Sequence, residues 1–262
     1  MQKLCLIKLG GSVLTDTTKP NTPKIEEIMR LAREIRSTSR VILGHGSGSF
    51  GHVTAHKYKV QDGLKNANSM KGAAMTQNVA AKLHRIVVDE LVKAGVSAFS
   101  FPPSAGAIAR NGRIVRWDIS ALEEALDKGF LPVTCGDVVV DLTKGVTIAS
   151  TEEVFRHIAQ KLRPARIIVG GDTDGVFTAN PKVHKNAKLI ERIDGSNIAN
   201  ALRSAGASLK VDVTGGMRSK VAYLYDMSRK FGVECRIINA TVPGRVRDAL
   251  AGRRVRGTII RA

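Results

Sequence analysis

The sequence predicts an α/β fold built on a mostly parallel sheet. Short apolar, β-branched runs alternate with longer stretches of helical period, which is the pattern of strand–helix–strand units. Glycine-rich segments stand directly after residues 4–9, 41–43 and 166–169. Those are places where open parallel sheets bind ligands, beyond the C-terminal ends of their strands. No repeat, low-complexity tract or proline-rich linker interrupts the 262 residues, a length that suits one large domain or two small ones and can bury a real core.

Residues 4–9 read as the first strand, an apolar run cut short by Lys8 and the pair Gly10-Gly11, which also makes it too short for a secretion signal. Further strands are expected at 41–43, 98–101, 131–134, 138–141, 166–169 and 234–238. Apolar residues at helical spacing predict helices over 24–37, 69–94, 119–128, 151–162, 198–205, 217–231 and 243–251. Nothing approaches the ~20 apolar residues of a membrane span. Cys5, Cys135 and Cys235 are widely spaced, without CxxC pairs or neighbouring histidines, and read as buried thiols of a cytoplasmic protein rather than metal ligands or disulfides.

The chain carries 41 basic and 23 acidic residues, a net charge of +18. From Arg218 onward eleven basic residues face three acidic ones. A polyanion partner is one reading of this excess, and a solvated basic face that draws in small phosphorylated substrates is the other. With three Tyr and one Trp to stack bases, the second is favoured and no specific nucleic-acid partner is expected.

Three segments carry the chemistry. In Gly44–Gly51, closed by His52, glycines let the backbone turn its N–H groups toward an anion, and a histidine there can bind or protonate a phosphate oxygen. Ser47, Gly48 and Gly51 belong to this loop. In Lys8-Leu9-Gly10-Gly11-Ser12, strand alternation puts Leu6 and Lys8 on one face; a lysine in an apolar strand needs an anionic partner, which a phosphate supplies. In 212–220, Gly215 and Gly216 allow a turn into a helix whose N-terminus and Lys220 favour negative charge. Asp172, Asp174 and Gly175 form a fourth turn after a strand. A P-loop spacing, a nucleophile elbow and a metal-binding motif are all missing from the sequence. Two lysines, a histidine and backbone donors around one site point to phosphoryl transfer.

Together, Lys8-Leu9-Gly10-Gly11-Ser12, the His45–His52 loop, Gly136-Asp137-Val138-Val139, Asp172–Gly175 and Asp212–Lys220 resemble the amino acid kinase superfamily, and within it the isopentenyl phosphate kinase family. The resemblance runs in order along nearly the whole chain, to Gly257-Thr258. It implies a single three-layer α/β/α sandwich over residues 1–262, with acceptor binding in about 1–160 and ATP binding in about 161–262. It also implies a homodimer, and transfer of the γ-phosphate of ATP, with Mg²⁺, to isopentenyl monophosphate. A kinase for another small phosphate or phosphonate such as fosfomycin, and a relative that binds nucleotide without turnover, are the alternatives.

By that resemblance Lys8 steadies the transferring group, and Gly10, Gly11 and Gly48 line the phosphates. His52 binds the acceptor phosphate, Lys220 binds the ATP phosphates, and Asp172, Asp174, Gly175, Gly215 and Gly216 lie on the nucleotide side. The family has Ser-Gly-Asp-Asp where this chain has Ser150-Thr151-Glu152-Glu153. Glu152 then takes the place of an acid that organises the lysines, on an arm one methylene longer, and Thr151 replaces a glycine near the acceptor. Lys19 stands two places late for a further family lysine, and Gly171 replaces a threonine. Ala73 stands where an aromatic often lines the prenyl pocket, which leaves room for a longer tail unless Met70 or Met75 refills it.

Overall fold

Alternation along the first strand sets up two cores, because successive side chains leave a strand on opposite faces. In β1 (Cys5–Leu9), Cys5, Ile7 and Leu9 join one hydrophobic cluster and Leu6 joins another. The computed structural model describes residues 3–181, 183–206 and 216–262. After β1 come α1 (Gly11–Leu14), α2 (Ile25–Ile35), β2 (Val41–His45), α3 (Gly48–Tyr58), α4 (Ala67–Lys93) and β3 (Ala98–Ser100). Then follow β4 (Ile108–Arg110), β5 (Arg113–Arg116), α5 (Ser120–Asp127), β6 (Leu131–Cys135), β7 (Asp137–Asp141), β8 (Gly145–Ala149) and α6 (Thr151–Leu162). The chain continues through β9 (Arg166–Gly171), β10 (Arg192–Ile193), α7 (Ile198–Ala205), α8 (Gly216–Phe231), β11 (Glu234–Asn239), α9 (Arg245–Leu250) and β12 (Gly257–Ile260).

Eight strands form one sheet in the order β10-β12-β11-β9-β1-β2-β6-β3, with every pairing parallel except β11 with β12. Residues of α2, α4 and α9 fill the core on the Ile7 face (Leu31, Leu83, Val246). Residues of α5, α6, α7 and α8 fill the core on the Leu6 face (Leu122, Phe155, Ala201, Leu224). This is the expected three-layer sandwich with an open, mostly parallel sheet. β1 lies near its middle, buried at all five positions, so the segment after it opens at the centre of the sheet's edge.

Helix α7 spans the predicted residues, and the other predicted helices agree to within two residues at each end. Several elements were not expected, among them α1, β10 and β12, and two further differences are larger. The expected loop of 44–52 turns at Gly48 into α3, which runs on through residues given no element from the sequence and whose first four residues and Ala55 are buried. Packing against α4 overrides the poor helix propensity of its glycines. A second, four-stranded sheet, β5-β4-β7-β8, stands apart from the first, although only the β7 segment was expected as a strand. Its strands are three to five residues long, too short for periodicity to reveal.

Candidate active site

Lys8 leaves β1 on the Leu6 side and meets α6. Its Nζ donates to both carboxylate oxygens of Glu152, each at 2.6 Å, and both side chains are buried. Glu152 stands in the first turn of α6, which Ser150 caps by accepting the Glu153 N–H at 3.2 Å. Burial by itself would push the Glu152 carboxyl up. The Lys8 charge, its hydrogen bonds and the charge of Lys220 outweigh that and hold it below the ordinary value. One buried carboxylate thus sits in the field of both predicted lysines, one from β1 and one from early in α8.

The two glycine turns interlock beside this pair. A Cβ on Gly11 would lie 2.3 Å from the Gly48 nitrogen, and one on Gly48, whose φ is +49°, would lie 2.2 Å from Thr15 Oγ1. A side chain at either position would separate the turns. Thr15 latches them: its hydroxyl donates to Gly11 O at 2.8 Å and accepts the Ser49 N–H at 3.0 Å. Gly10 donates its N–H to Gly170 O at 2.7 Å, so the third strand end joins the same junction. Ser47 stands at the N-terminus of α3, Gly51 packs on it (an added Cβ would be 2.4 Å from Ser47 Oγ), and half-buried His52 follows in the same helix. The Lys8–Glu152 pair, with Lys220 in its field, and the interlocked glycine turns thus meet at the C-terminal ends of β1, β2 and β9.

The sequence profile described as the amino acid kinase family matches residues 3–239. This chain belongs to the amino acid kinase family. Among curated proteins it is 40% identical over 267 residues to the isopentenyl phosphate kinase of Methanothermobacter thermautotrophicus, covering 98% of each chain. It is 34% identical over 269 residues to that of Methanocaldococcus jannaschii, again with 98% of each covered. Among solved structures, one described as X-ray structures of isopentenyl phosphate kinase superposes with a TM-score of 0.83 at 36% identity, over 98% of this chain and 99% of that one. An isopentenyl phosphate kinase substrate complex superposes with a TM-score of 0.80 at 26% identity, covering 99% and 100%.

In this amino acid kinase several predicted site residues have their side chains engaged elsewhere. Asp174 accepts from Arg256 Nε at 2.8 Å and from Arg245, so its carboxylate braces the turn after β9. Burial raises its pKa, but these hydrogen bonds prevail and hold it low. Gly175, at φ +150°, lies against Thr258, whose hydroxyl accepts the Val176 N–H at 2.8 Å. Asp172 is exposed at the rim of the same turn. The Thr151 hydroxyl donates to His45 O at 2.8 Å and is buried, with Gly44 and Gly136 leaving space for it. Glu153 accepts from Arg113, Arg156 and the Ile114 N–H, so the second acid of the pair clamps α6 to β5. Gly216 opens α8 at φ +62°, whereas Gly215 and the rest of 207–215 lie outside the described residues.

Ala73 is buried in a small apolar cluster with Val60 and Val138, flanked by Tyr58, Leu64, Val146 and Ile148. Met70 and Met75 are exposed and do not refill the space. Lys19 is also exposed. The sequence reading missed Thr15, Arg245 and Arg256, which act on the site through other residues. No spacing rule marks them, because each partners a residue from another strand end.

The cysteines are buried and free, as expected, and burial pushes the Cys5 thiol up to about 12. One expectation needs correcting. Cys135 does have histidine neighbours, since His45 and His84 reach it from β2 and α4. Burial depresses His45 to about 4 and His84 to about 3, so both rings are neutral.

Proposed function

We propose that this chain catalyses transfer of the γ-phosphoryl group of ATP to isopentenyl monophosphate, giving isopentenyl diphosphate. The observation that carries this reading is the placement of Lys8 and Lys220 about one buried carboxylate, at the junction of two interlocked glycine turns. Relatives matching end to end, up to 40% identical and named isopentenyl phosphate kinases, supply the acceptor.

Lys8 faces the transferring phosphoryl group, and its charge offsets the negative charge on the equatorial oxygens. Glu152 fixes the ammonium's position, and Lys220 holds the β- and γ-phosphates. Gly10, Gly11 and Gly48, with Ser47 and Gly51, admit the phosphates to backbone donors. His52 orients and neutralises the acceptor phosphate. That acceptor oxygen is already ionised at neutral pH, so no base removes a proton and transfer is direct and in line, without a covalent enzyme intermediate. Asp172, the braced Asp174–Gly175 turn and the Gly215–Gly216 segment form the nucleotide side.

Mg²⁺ bound to ATP would offset charge on its phosphates; Glu152 and Asp174 are engaged by Lys8, Arg245 and Arg256, so the ion would be held mainly by the phosphates and water. Residues up to about 160 bind the acceptor and the remainder bind ATP. Ala73 and its cluster receive the prenyl tail. The exposed rings of Phe99 and Phe130, in contact at the β3 edge of the large sheet, support a homodimer. We assign the protein to the cytoplasm; among the described residues no helix is long and apolar enough to cross a membrane.

The test is ADP release from MgATP with isopentenyl monophosphate, run beside fosfomycin and a blank without acceptor. Turnover that depends on isopentenyl monophosphate and is lost in His52→Ala supports the reading. ATP binding without turnover on any acceptor refutes it.

A further inference from the structure

Next to the glycine turns, three side chains converge that the proposed reaction leaves unused. His45 and Cys135 are register partners at the ends of β2 and β6, on the same face of the sheet, and His84 descends onto them from α4. All three are buried, exposed by 1%, 2% and 5% for His45, Cys135 and His84. One ligating atom from each lies within 4.8 Å of those of the other two.

The orientation of the rings is fixed from outside the cluster. His45 Nδ1 lies 3.2 Å from Gly46 O, and His84 Nε2 lies 2.7 Å from Ser100 Oγ. The remaining nitrogens, His45 Nε2 and His84 Nδ1, face each other at 2.9 Å. An outer hydrogen bond on each imidazole, with the inner nitrogen turned to a common point, is how proteins prepare histidines as metal ligands. Metal–nitrogen and metal–sulfur bonds of ~2.0 and ~2.3 Å put ligand atoms roughly 3.5 Å apart, so the rings need to part by only about half an ångström.

We propose that His45, His84 and Cys135 form a buried binding site for a soft, thiophilic d¹⁰ cation, with monovalent copper the best fit. Two neutral imidazoles and a thiolate select such ions over hard ones. Cu⁺ with one thiolate leaves a neutral complex, whereas Zn²⁺ leaves a net positive charge in a dry site whose electrostatic neighbours include the Lys8 ammonium. On binding, the Cys135 S–H gives its proton to solvent and His84 changes tautomer: the Nδ1 proton that bridges to His45 Nε2 is lost and Nε2 takes one up, donated to Ser100 Oγ. His45 Nε2, His84 Nδ1 and the sulfur then bond the metal, and no electrons are transferred. The bound ion would tie β2, β6 and α4 together next to the phosphate-binding turns. Gly136 N–H and the Thr151 hydroxyl both donate to the carbonyl of His45, at 2.9 and 2.8 Å, which links the site to the start of α6.

The experiment is an anaerobic titration of the purified full chain with Cu⁺ held by a chromophoric chelator, with a parallel Zn²⁺ titration against a zinc dye. One equivalent of Cu⁺ withdrawn from the chelator, with a higher Tm, is expected. Cys135→Ser and His84→Gln should lose at least tenfold in affinity, while Cys5→Ala and Cys235→Ala, at the other two buried thiols, should bind as the parent does. X-ray absorption on the loaded parent protein should give two nitrogen ligands and one sulfur, which decides the matter even if a variant folds poorly. Metal left wholly with the chelators, binding unaffected by Cys135→Ser in a folded protein, or a copper shell without sulfur overturns the site. Zinc bound in preference to copper by the same three residues would keep the site and overturn the choice of ion.

Discussion

Glu152 offers both of its carboxylate oxygens to Lys8 Nζ at 2.6 Å, across 144 residues of chain. The pair is buried, so removing one partner strands the other's charge. Lys8→Met and Glu152→Leu should each destabilise the fold by about 3–5 kcal/mol, and the double replacement by less than either single change. Denaturant melts of the four proteins measure this directly; additive losses would show that the pair is not coupled.

In catalysis the same two residues should separate. Lys8→Ala should lower kcat by roughly 100-fold or more, the usual cost of losing one preorganised charge contact in the transition state. Glu152→Asp keeps the charge but shortens the arm, and should retain more activity than Glu152→Gln. Steady-state kinetics with saturating MgATP settles the order.

His52 should show itself through the acceptor. Loss of a charge-assisted hydrogen bond costs about 1.5–3 kcal/mol, so His52→Ala should raise the isopentenyl monophosphate KM and lower kcat, a combined fall in kcat/KM of roughly 10–100-fold. The KM for ATP should stay nearly unchanged. An ATP effect as large as the acceptor effect would put the histidine on the wrong side of the site.

Acid should disable the Lys8–Glu152 pair. The folded carboxyl titrates below its ordinary value of 4.5, while in the unfolded chain it titrates near that value. Above 4.5 both states are ionised and the pair's stabilisation is complete. As pH falls through the folded value the unfolded chain has already bound its proton, the folded chain follows, and the contribution disappears. Stability profiles from pH 7 to 3 should therefore drop more steeply for the parent than for Glu152→Gln.

The glycines divide by what surrounds them. Gly11→Ala would press a methyl onto the Gly48 backbone at 2.3 Å and should cost about 1–3 kcal/mol together with most of the activity. Gly171→Ala meets nothing within 4 Å and should be silent, within about 0.5 kcal/mol, by thermal melt. The small side chain of Ala73 should set the chain length that is accepted. Ala73→Phe should abolish turnover of geranyl monophosphate while sparing isopentenyl monophosphate, and a parent enzyme with no activity on ten-carbon acceptors would refute this.

The sequence alone determined what period and local chemistry can carry. Alternation put Lys8 on the Leu6 face of its strand, helical spacing delimited Ile198–Ala205, and glycine clusters after strands marked the edge where the site lies. Tertiary structure decided the partnerships. Glu152 reaches Lys8, Arg245 and Arg256 reach Asp174, Thr15 latches two turns, and His45 and His84 reach Cys135. Each of these joins segments far apart along the chain, brought together by crossover connections between neighbouring strands. The α3 helix and the small second sheet belong with them, since glycine-rich or very short segments take their form from what buries them. Hydrophobic periodicity is a property of neighbours along the chain, whereas the strand order of a parallel sheet follows from how separate amphipathic faces are buried together.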